Sequence, residues 1–234
     1  MTVAASVPVQ AVSKLPAQAA VLVGLISLGL VVLPAFWALL NHFTRIAHEG
    51  AHAMVGSVLD TRVTGVYLYR KTPAEDRQTP DDDGPSGKTF IRDEPGTGFA
   101  WRVVGYFGPS GFGLAAAALI AHGQIVLALW TGVALLAILL LSLRTVFGFA
   151  LVFGIGFVLV SIIRSRNPEV ESVTAYGLSW LLLLSAVRGV WDRRDGSGDA
   201  KKLREITGLP RGLWYYVWLI GTVAAVAWGY TMLV

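Results

Sequence analysis

The chain has 234 residues, of which 54% are hydrophobic and 15% are charged, and its mean hydropathy is +0.60. Soluble domains carry about 25% charged residues, and disordered chains combine low hydrophobicity with high net charge, so both classes are excluded. The absence of cysteine excludes disulfides, thiolate-bound zinc and iron–sulfur clusters. The net charge is +4, which in a membrane protein indicates basic cytoplasmic loops rather than nucleic-acid binding.

Seven apolar segments can form membrane helices, because about 20 apolar residues are needed to cross ~30 Å of hydrocarbon. We expect the stretch from 124 to 163, in which Arg144 is the only charge, to form two tight spans. The first segment is longer than the apolar core of a signal peptide and is expected to be a retained anchor. The segments are residues 18–40, 43–59, 99–121, 124–141, 145–163, 173–190 and 213–233.

This pattern predicts an all-α polytopic membrane protein, a bundle of about six to seven transmembrane helices. Residues 1–17 are expected to be a flexible N-terminus, and residues 18–234 a single membrane-embedded domain with an extramembrane insert at 60–98. If both charged connections face the cytoplasm, alternation of the spans places the N-terminus there as well. The same alternation puts the 191–211 connection at the membrane face opposite the start of segment 43–59.

The two polar connections have different patterns. Residues 62–70 (RVTGVYLYR) alternate and are rich in β-branched and aromatic residues, and residues 87–92 (GKTFIR) resemble a returning strand. They predict a small β-hairpin at the membrane surface, with a mobile tip around residues 81–87. In the second connection, KKLREITGLP predicts a short helix that ends at glycine and proline.

Segment 43–59 contains an HExxH motif, His48-Glu49-Gly50-Ala51-His52. Residues four apart share one face of a helix, so His48 and His52 can offer two imidazole nitrogens to one Zn²⁺. Glu49 lies about 100° around the helix, where it reaches a zinc-bound water instead of a coordination position. Zinc lowers the pKa of such a water towards 7, and a carboxylate can then take its proton and pass it to a leaving amine.

The alternative is a pair of histidines packed against polar neighbours in the bundle. Glu49 is the only carboxylate in the seven segments, and an ionisable group at membrane depth is costly unless it is paired or functional, which favours the metal site. A catalytic zinc usually has a third protein ligand, although each candidate on its own is more often a solvated surface group. The candidates are Asp192, Asp195, Asp199, Glu169, Glu171 and His122.

Glycines crowd the start of segment 99–121, at positions 105, 108, 111 and 113, around Pro109. They indicate close helix packing more than a flexible gate, because small residues let backbones approach each other. Tyr106 lies among them, and nothing in the sequence indicates whether its hydroxyl contacts a reaction intermediate.

The HEGAH motif on a short membrane helix, followed by a strand that begins RVTGVYL, resembles the site-2-protease superfamily of intramembrane zinc peptidases. More narrowly, it is similar to a bacterial branch of short peptidase-like membrane proteins common in actinobacteria. Further matching phrases follow in the same order and extend the resemblance over most of the chain from residue 41 to about 225. They are GYFGP at 105–109, RTVFG at 144–148 and GDAKKLREITGLP at 198–210.

The resemblance implies a site inside the membrane in which His48, His52 and a later carboxylate hold zinc and Glu49 is the general base and acid. In the superfamily that carboxylate usually belongs to an Asp-Gly motif within a span, which this chain lacks. The nearest equivalent in the short branch is the aspartate before Ala-x-x-Leu, here Asp199. The branch generally has serine before it, whereas this chain has Gly198.

The function expected is therefore a zinc metalloendopeptidase of the bacterial plasma membrane, whose partners are the lipid bilayer and a membrane-embedded protein substrate. A substrate can pair as an added strand at the edge of 62–70, through Val66, Tyr67 and Leu68; the alternative is a hairpin that only packs over the bundle. Two alternatives are a non-catalytic scaffold that keeps the fold and a small cation or proton transporter that uses the HExxH side chains. The sequence identifies neither the substrate nor the oligomeric state.

Overall fold

A computed structural model describes residues 13–58, 63–68, 87–91, 98–194 and 199–234. Within these residues, helices form a bundle and two short strands form one sheet. In chain order the elements are α1 (Ala17–Val32), α2 (Pro34–Val58), β1 (Val63–Leu68), β2 (Gly87–Ile91), α3 (Gly98–Ala121), α4 (Ile125–Ser142), α5 (Val146–Ser165), α6 (Pro168–Trp191), α7 (Asp199–Thr207) and α8 (Arg211–Leu233). Residues 1–12, in the predicted flexible N-terminus, lie outside the described residues.

Five described helices, α3, α4, α5, α6 and α8, are long and apolar enough to cross a membrane. The pair α1–α2 meets the same criterion only when taken together, across a bend of 100°. The chain is thus a multi-pass membrane protein, and the described residues hold five to six candidate spans, where the sequence predicted six to seven. The two tight spans expected between 124 and 163 are α4 and α5.

The first break in the chain lies at Leu33 and not at residues 41–42, where the sequence analysis placed it. Leu33 is extended, with ψ of 123°, and Pro34 opens α2. Proline favours an extended residue before it and is tolerated in the first helical turn, where its missing N–H costs nothing. Consequently α2 joins the end of segment 18–40 to the HExxH segment in one helix of 25 residues.

Helix α1 lies parallel to α6 over its whole length. At one end Ser172 Oγ donates to the carbonyl of Ser13 at 2.9 Å. At the other end the Arg188 guanidinium donates to the carbonyls of Val31 and Val32, at 3.0 and 2.8 Å. We call this second end of the bundle the Arg188 end. Since the last carbonyls of a helix have no intrahelical partner, Arg188 caps α1 where the chain bends.

The start of α2 lies at the same end of the bundle as the 191–211 connection. Trp37 Nε1 donates to Asp192 Oδ2 at 2.7 Å, and further along α2 the side chain of His52 contacts the start of α3 through Trp101. The prediction that the two regions lie at opposite membrane faces is therefore wrong. The prediction counted one membrane crossing too many. The chain turns by 100° between α1 and α2, so α2 stays at the Arg188 end instead of crossing back.

The two strands pair antiparallel, with Val66 opposite Thr89. They cover most of the predicted strands at 62–70 and 87–92, while the connection between them, including most of the predicted tip, lies outside the described residues. The other edge of β1 is anchored to the α4–α5 connection. There Arg144 N donates to the Val66 carbonyl at 2.9 Å, and Thr145 Oγ1 donates to the Leu68 carbonyl at 2.7 Å.

Candidate metal centre

The two histidines of the HExxH motif point the same way from α2, as their spacing predicts. His48 Nε2 and His52 Nε2 are 3.1 Å apart, and the two rings are nearly perpendicular, at 86°. His52 is 3% exposed, so this face of α2 is buried inside the bundle. Two nitrogen donors therefore face one point in a region that excludes most water.

Asp199 reaches the same point from α7. Its Oδ2 atom lies 3.5 Å from His48 Nε2 and 3.7 Å from His52 Nε2. This position follows from the amphipathic sequence of α7, whose apolar residues Ala200 and Leu203 are fully buried in a cluster with aromatic residues of α3 and α8. Packing that face into the bundle turns Asp199, at the first position of the helix, towards α2.

The three donor atoms have the separations that a zinc site requires. Ligand atoms about 2.0–2.2 Å from a tetrahedral zinc are ~3.3–3.6 Å from one another. The observed separations are 3.1, 3.5 and 3.7 Å, and all three atoms lie within 4.8 Å of each other. The residues therefore fit a metal ion of this kind, and His and carboxylate donors suit zinc.

The backbone of α3 orients one of the two imidazoles. His52 Nδ1 lies 2.9 Å from the carbonyl oxygen of Trp101, and the Trp101 ring packs on the imidazole with centroids 4.2 Å apart. Donation from Nδ1 to a carbonyl leaves the lone pair on Nε2, the atom that faces His48 and Asp199. Such a partner fixes the tautomer and ring orientation of a metal-ligating histidine.

Glycines of α3 let this helix approach the motif, as the packing interpretation of the sequence predicted. A Cβ atom on Gly105 would lie 2.4 Å from His52 Nε2 and 2.6 Å from His48 Cε1. A Cβ atom on Gly108 would lie 2.5 Å from the Cβ of Ala51. Both positions require glycine for contact between the helices, since any side chain there would overlap α2.

Charged groups surround the three donors. Glu49 is 6% exposed and interacts electrostatically with both imidazoles and with the guanidinium of Arg193. Burial raises the pKa of Asp199, but its interactions with the imidazoles of His48 and His52 outweigh this effect and hold the pKa well below its usual range. Asp199 is thus a carboxylate, the form that binds a cation.

The structure separates the other candidate third ligands from the two histidines. Asp192 accepts a hydrogen bond from Trp37 and pairs with Arg188 at 3.5 Å. Glu169 and Glu171 lie in the first turn of α6, and His122 follows the end of α3. These three are at the end of the bundle opposite the Arg188 end. Asp195 lies outside the described residues.

The residues expected to pair with a substrate strand are already engaged. Val66 and Leu68 are 0% and 3% exposed and belong to a core cluster with residues of α2, α4 and α5. The backbone of β1 is paired on one side with β2, including Tyr67 opposite Lys88, and on the other with the α4–α5 connection. The described structure therefore leaves the outer edge of β2 for an added strand.

Two features of the site were missed by sequence reasoning. Trp101 supplies a backbone carbonyl, which no side-chain pattern signals. Arg193 was counted among the basic residues of a surface connection, yet its backbone N–H donates to the Val190 carbonyl and continues the turn of α6 towards the site. Its position three residues beyond the predicted span 173–190 was the one available signal.

Comparison with known proteins identifies the family of the chain. No curated protein and no solved structure matches the chain. A family model described as Peptidase M50B-like matches residues 21–229, which include all the helices that carry the donor atoms. That match covers most of the chain and confirms the resemblance that the motifs indicated. The chain belongs to the Peptidase M50B-like family, which is the family of the site-2 proteases.

Proposed function

We propose that the protein is an intramembrane zinc metalloendopeptidase of the site-2-protease type, acting on membrane-embedded proteins in a bacterial plasma membrane. The observation that carries the proposal is the convergence of His48 Nε2, His52 Nε2 and a carboxylate oxygen of Asp199 within 4.8 Å. The buried carboxylate of Glu49 beside them, on the same helix, supports a hydrolytic site over a structural one.

His48, His52 and Asp199 hold the metal ion in this proposal. When bound, zinc supplies the Lewis acidity that makes water a nucleophile near neutral pH. Glu49 takes a proton from the attacking water and then delivers it to the amide nitrogen of the leaving segment. Trp101 holds the His52 ring in the orientation that presents Nε2 to the metal.

The substrate is expected to unwind and to add as a strand near this site, because peptide bonds inside a helix are shielded from water. Val66, Tyr67 and Leu68 belong to the sheet that receives it. Since β1 is paired on both sides, the added strand joins β2, which lies against α2.

The experiment has two stages. Purified protein in lipid nanodiscs is analysed for metal content, and about one zinc per chain is expected, with loss of most of it in the His48→Ala variant. Bacterial cells that produce the protein are then compared with cells that produce Glu49→Gln, by sequencing new N-termini of membrane proteins. Cleavage products present with the wild type and absent with Glu49→Gln support the proposal.

The alternatives give different results in the same preparations. Stoichiometric zinc without any Glu49-dependent cleavage product would contradict a peptidase and favour the scaffold that keeps the fold. Ion flux in liposomes that stops with Glu49→Gln, again without cleavage, would favour the transporter. A chain that binds no zinc contradicts the metal centre itself.

A further inference from the structure

One buried hydroxyl beside the metal centre has no acceptor for its proton within the described residues. Tyr106 is 6% exposed, and its ring edge packs on the His48 imidazole with centroids 4.8 Å apart. Within the described residues its hydroxyl donates to no acceptor, and the polar group that faces it is the guanidinium of Arg193, which can only donate to it. A buried donor of this kind costs about 1–3 kcal/mol, so it is retained where it has a role.

Cations lie beside this hydroxyl. The Arg193 guanidinium lies 5.9 Å from the centroid of the Tyr106 ring and interacts electrostatically with the hydroxyl, and so does Arg45 of α2. Arg193 also interacts with Asp199 and Glu49. When a divalent cation is bound, those two carboxylates balance its charge. The charge of the guanidinium then gives the site a net positive charge. Such an excess opposes metal binding and favours an anion.

There is also room beside the pair. Tyr106 and Arg193 line a cavity of about 10 Å³, which is roughly the volume that one water-sized group needs. The remaining lining residues come from α6, α7 and α8 and include Ala200, the neighbour of Asp199, while none of the described donor residues lines the cavity. The lining residues from these three helices are Val190, Ala200, Tyr215 and Trp218.

We propose that Tyr106 is a catalytic residue that donates a hydrogen bond to the negatively charged oxygen formed on the scissile carbonyl, and that Arg193 is its positioning residue. This inference rests on the proposed peptidase function. Water oxygen bonds to the carbonyl carbon, its proton goes to Glu49, and the C=O π electrons move to the oxygen that Tyr106 stabilises. When the C=O bond re-forms, the C–N bond breaks and Glu49 protonates the amine.

The test uses anion binding, so that it needs no substrate. Cobalt-substituted protein in nanodiscs is titrated with acetohydroxamate, an oxygen-anion ligand of the metal, and with neutral imidazole, while the visible cobalt absorption is recorded. Tyr106→Phe is expected to weaken acetohydroxamate binding about 10- to 100-fold, the effect of losing a hydrogen bond to a charged group, and to leave imidazole affinity and cobalt content unchanged. Tyr216→Phe, at a tyrosine 59% exposed on α8, is the matched control and should resemble the wild type.

Arg193 is tested in the same titration. Arg193→Gln is expected to weaken acetohydroxamate binding and Arg193→Lys to recover most of it, whereas Arg194→Gln, at an exposed neighbour, has no effect. Unchanged acetohydroxamate affinity in Tyr106→Phe, or an equal loss for both ligands, overturns the role of Tyr106. No recovery in Arg193→Lys overturns the role of Arg193. If wild-type protein binds no cobalt, the metal centre itself fails, which is a separate result from the failure of this inference.

Discussion

Gly105 gives the sharpest test of the metal centre, because it is the point where α3 touches both imidazoles. A methyl group there would lie 2.4 Å from His52 Nε2 and 2.6 Å from His48 Cε1, whereas ordinary contact begins at 3.4 Å. The Gly105→Ala substitution therefore forces the two helices about 1 Å apart or turns both rings. Zinc tolerates ligand displacements of only ~0.2 Å, so either response damages the site.

The size of the effect follows from these overlaps. Turning two rings ~30° away from their preferred rotamers costs about 1–3 kcal/mol in total. At about 1.4 kcal/mol for each tenfold change, zinc affinity should fall roughly 5- to 150-fold. The assay is competition for zinc with a chromophoric chelator, with the protein in nanodiscs and its thermal unfolding followed in parallel.

Gly111→Ala is the matched control on the same helix. A Cβ atom at Gly111 has no neighbour within 4 Å, so this variant should bind zinc like the wild type and keep or slightly raise the stability of α3. Wild-type zinc affinity in a folded Gly105→Ala protein would refute the packing of α3 on the two imidazoles. An equal loss in both variants would refute it too, since the effect would then be general to the helix.

Two further substitutions test the elements that assemble the site. Asp199→Asn should lower zinc affinity at least about 100-fold, which is more than is lost when a residue that only hydrogen-bonds to a ligand is removed. Asp192→Asn is the control and should bind zinc like the wild type. If a chelator competition shows the larger loss in Asp192→Asn, Asp199 is not the ligand. Arg188→Gln removes a charged donor from two carbonyls at the end of α1 and should lower the free energy of unfolding by about 1.5–3 kcal/mol. Thermal unfolding in detergent measures this loss of stability. The control is Arg164→Gln, at an exposed residue near the end of α5. Equal unfolding temperatures for the two variants would contradict the capping of α1 by Arg188.

Local features were predicted well from the sequence. His48 and His52 converge because the spacing of four residues in a helix is enough to place two side chains on one face. The two spans between 124 and 163 were predicted because each is apolar throughout, and Arg144 marks their connection. Gly105, Gly108 and Gly113 of α3 were correctly predicted to be packing positions, whereas a Cβ atom at Gly111 has no neighbour within 4 Å; only the structure shows that Gly105 packs on the histidines themselves.

The topology was predicted less well, and the reason is one bend. Apolar segments of a sequence indicate which residues can lie in lipid, but they do not indicate in which direction a helix continues after a proline. The 100° turn at Leu33 removes one crossing from the predicted path. Every later span is thereby shifted by one membrane face, and the 191–211 connection moves to the end of the bundle where α2 begins.

The sequence by itself determined the class of the protein, the apolar helices that follow residue 98, and the pair of histidines with their neighbouring carboxylate, because composition and helical periodicity are local properties. Tertiary structure decided which distant groups join them. Asp199 is brought to the histidines, and Arg193 and Tyr106 to each other, by the bend between α1 and α2 and by the burial of α7 against α3 and α8. These contacts join residues far apart in the chain, and spacing along a sequence carries no information about such distances.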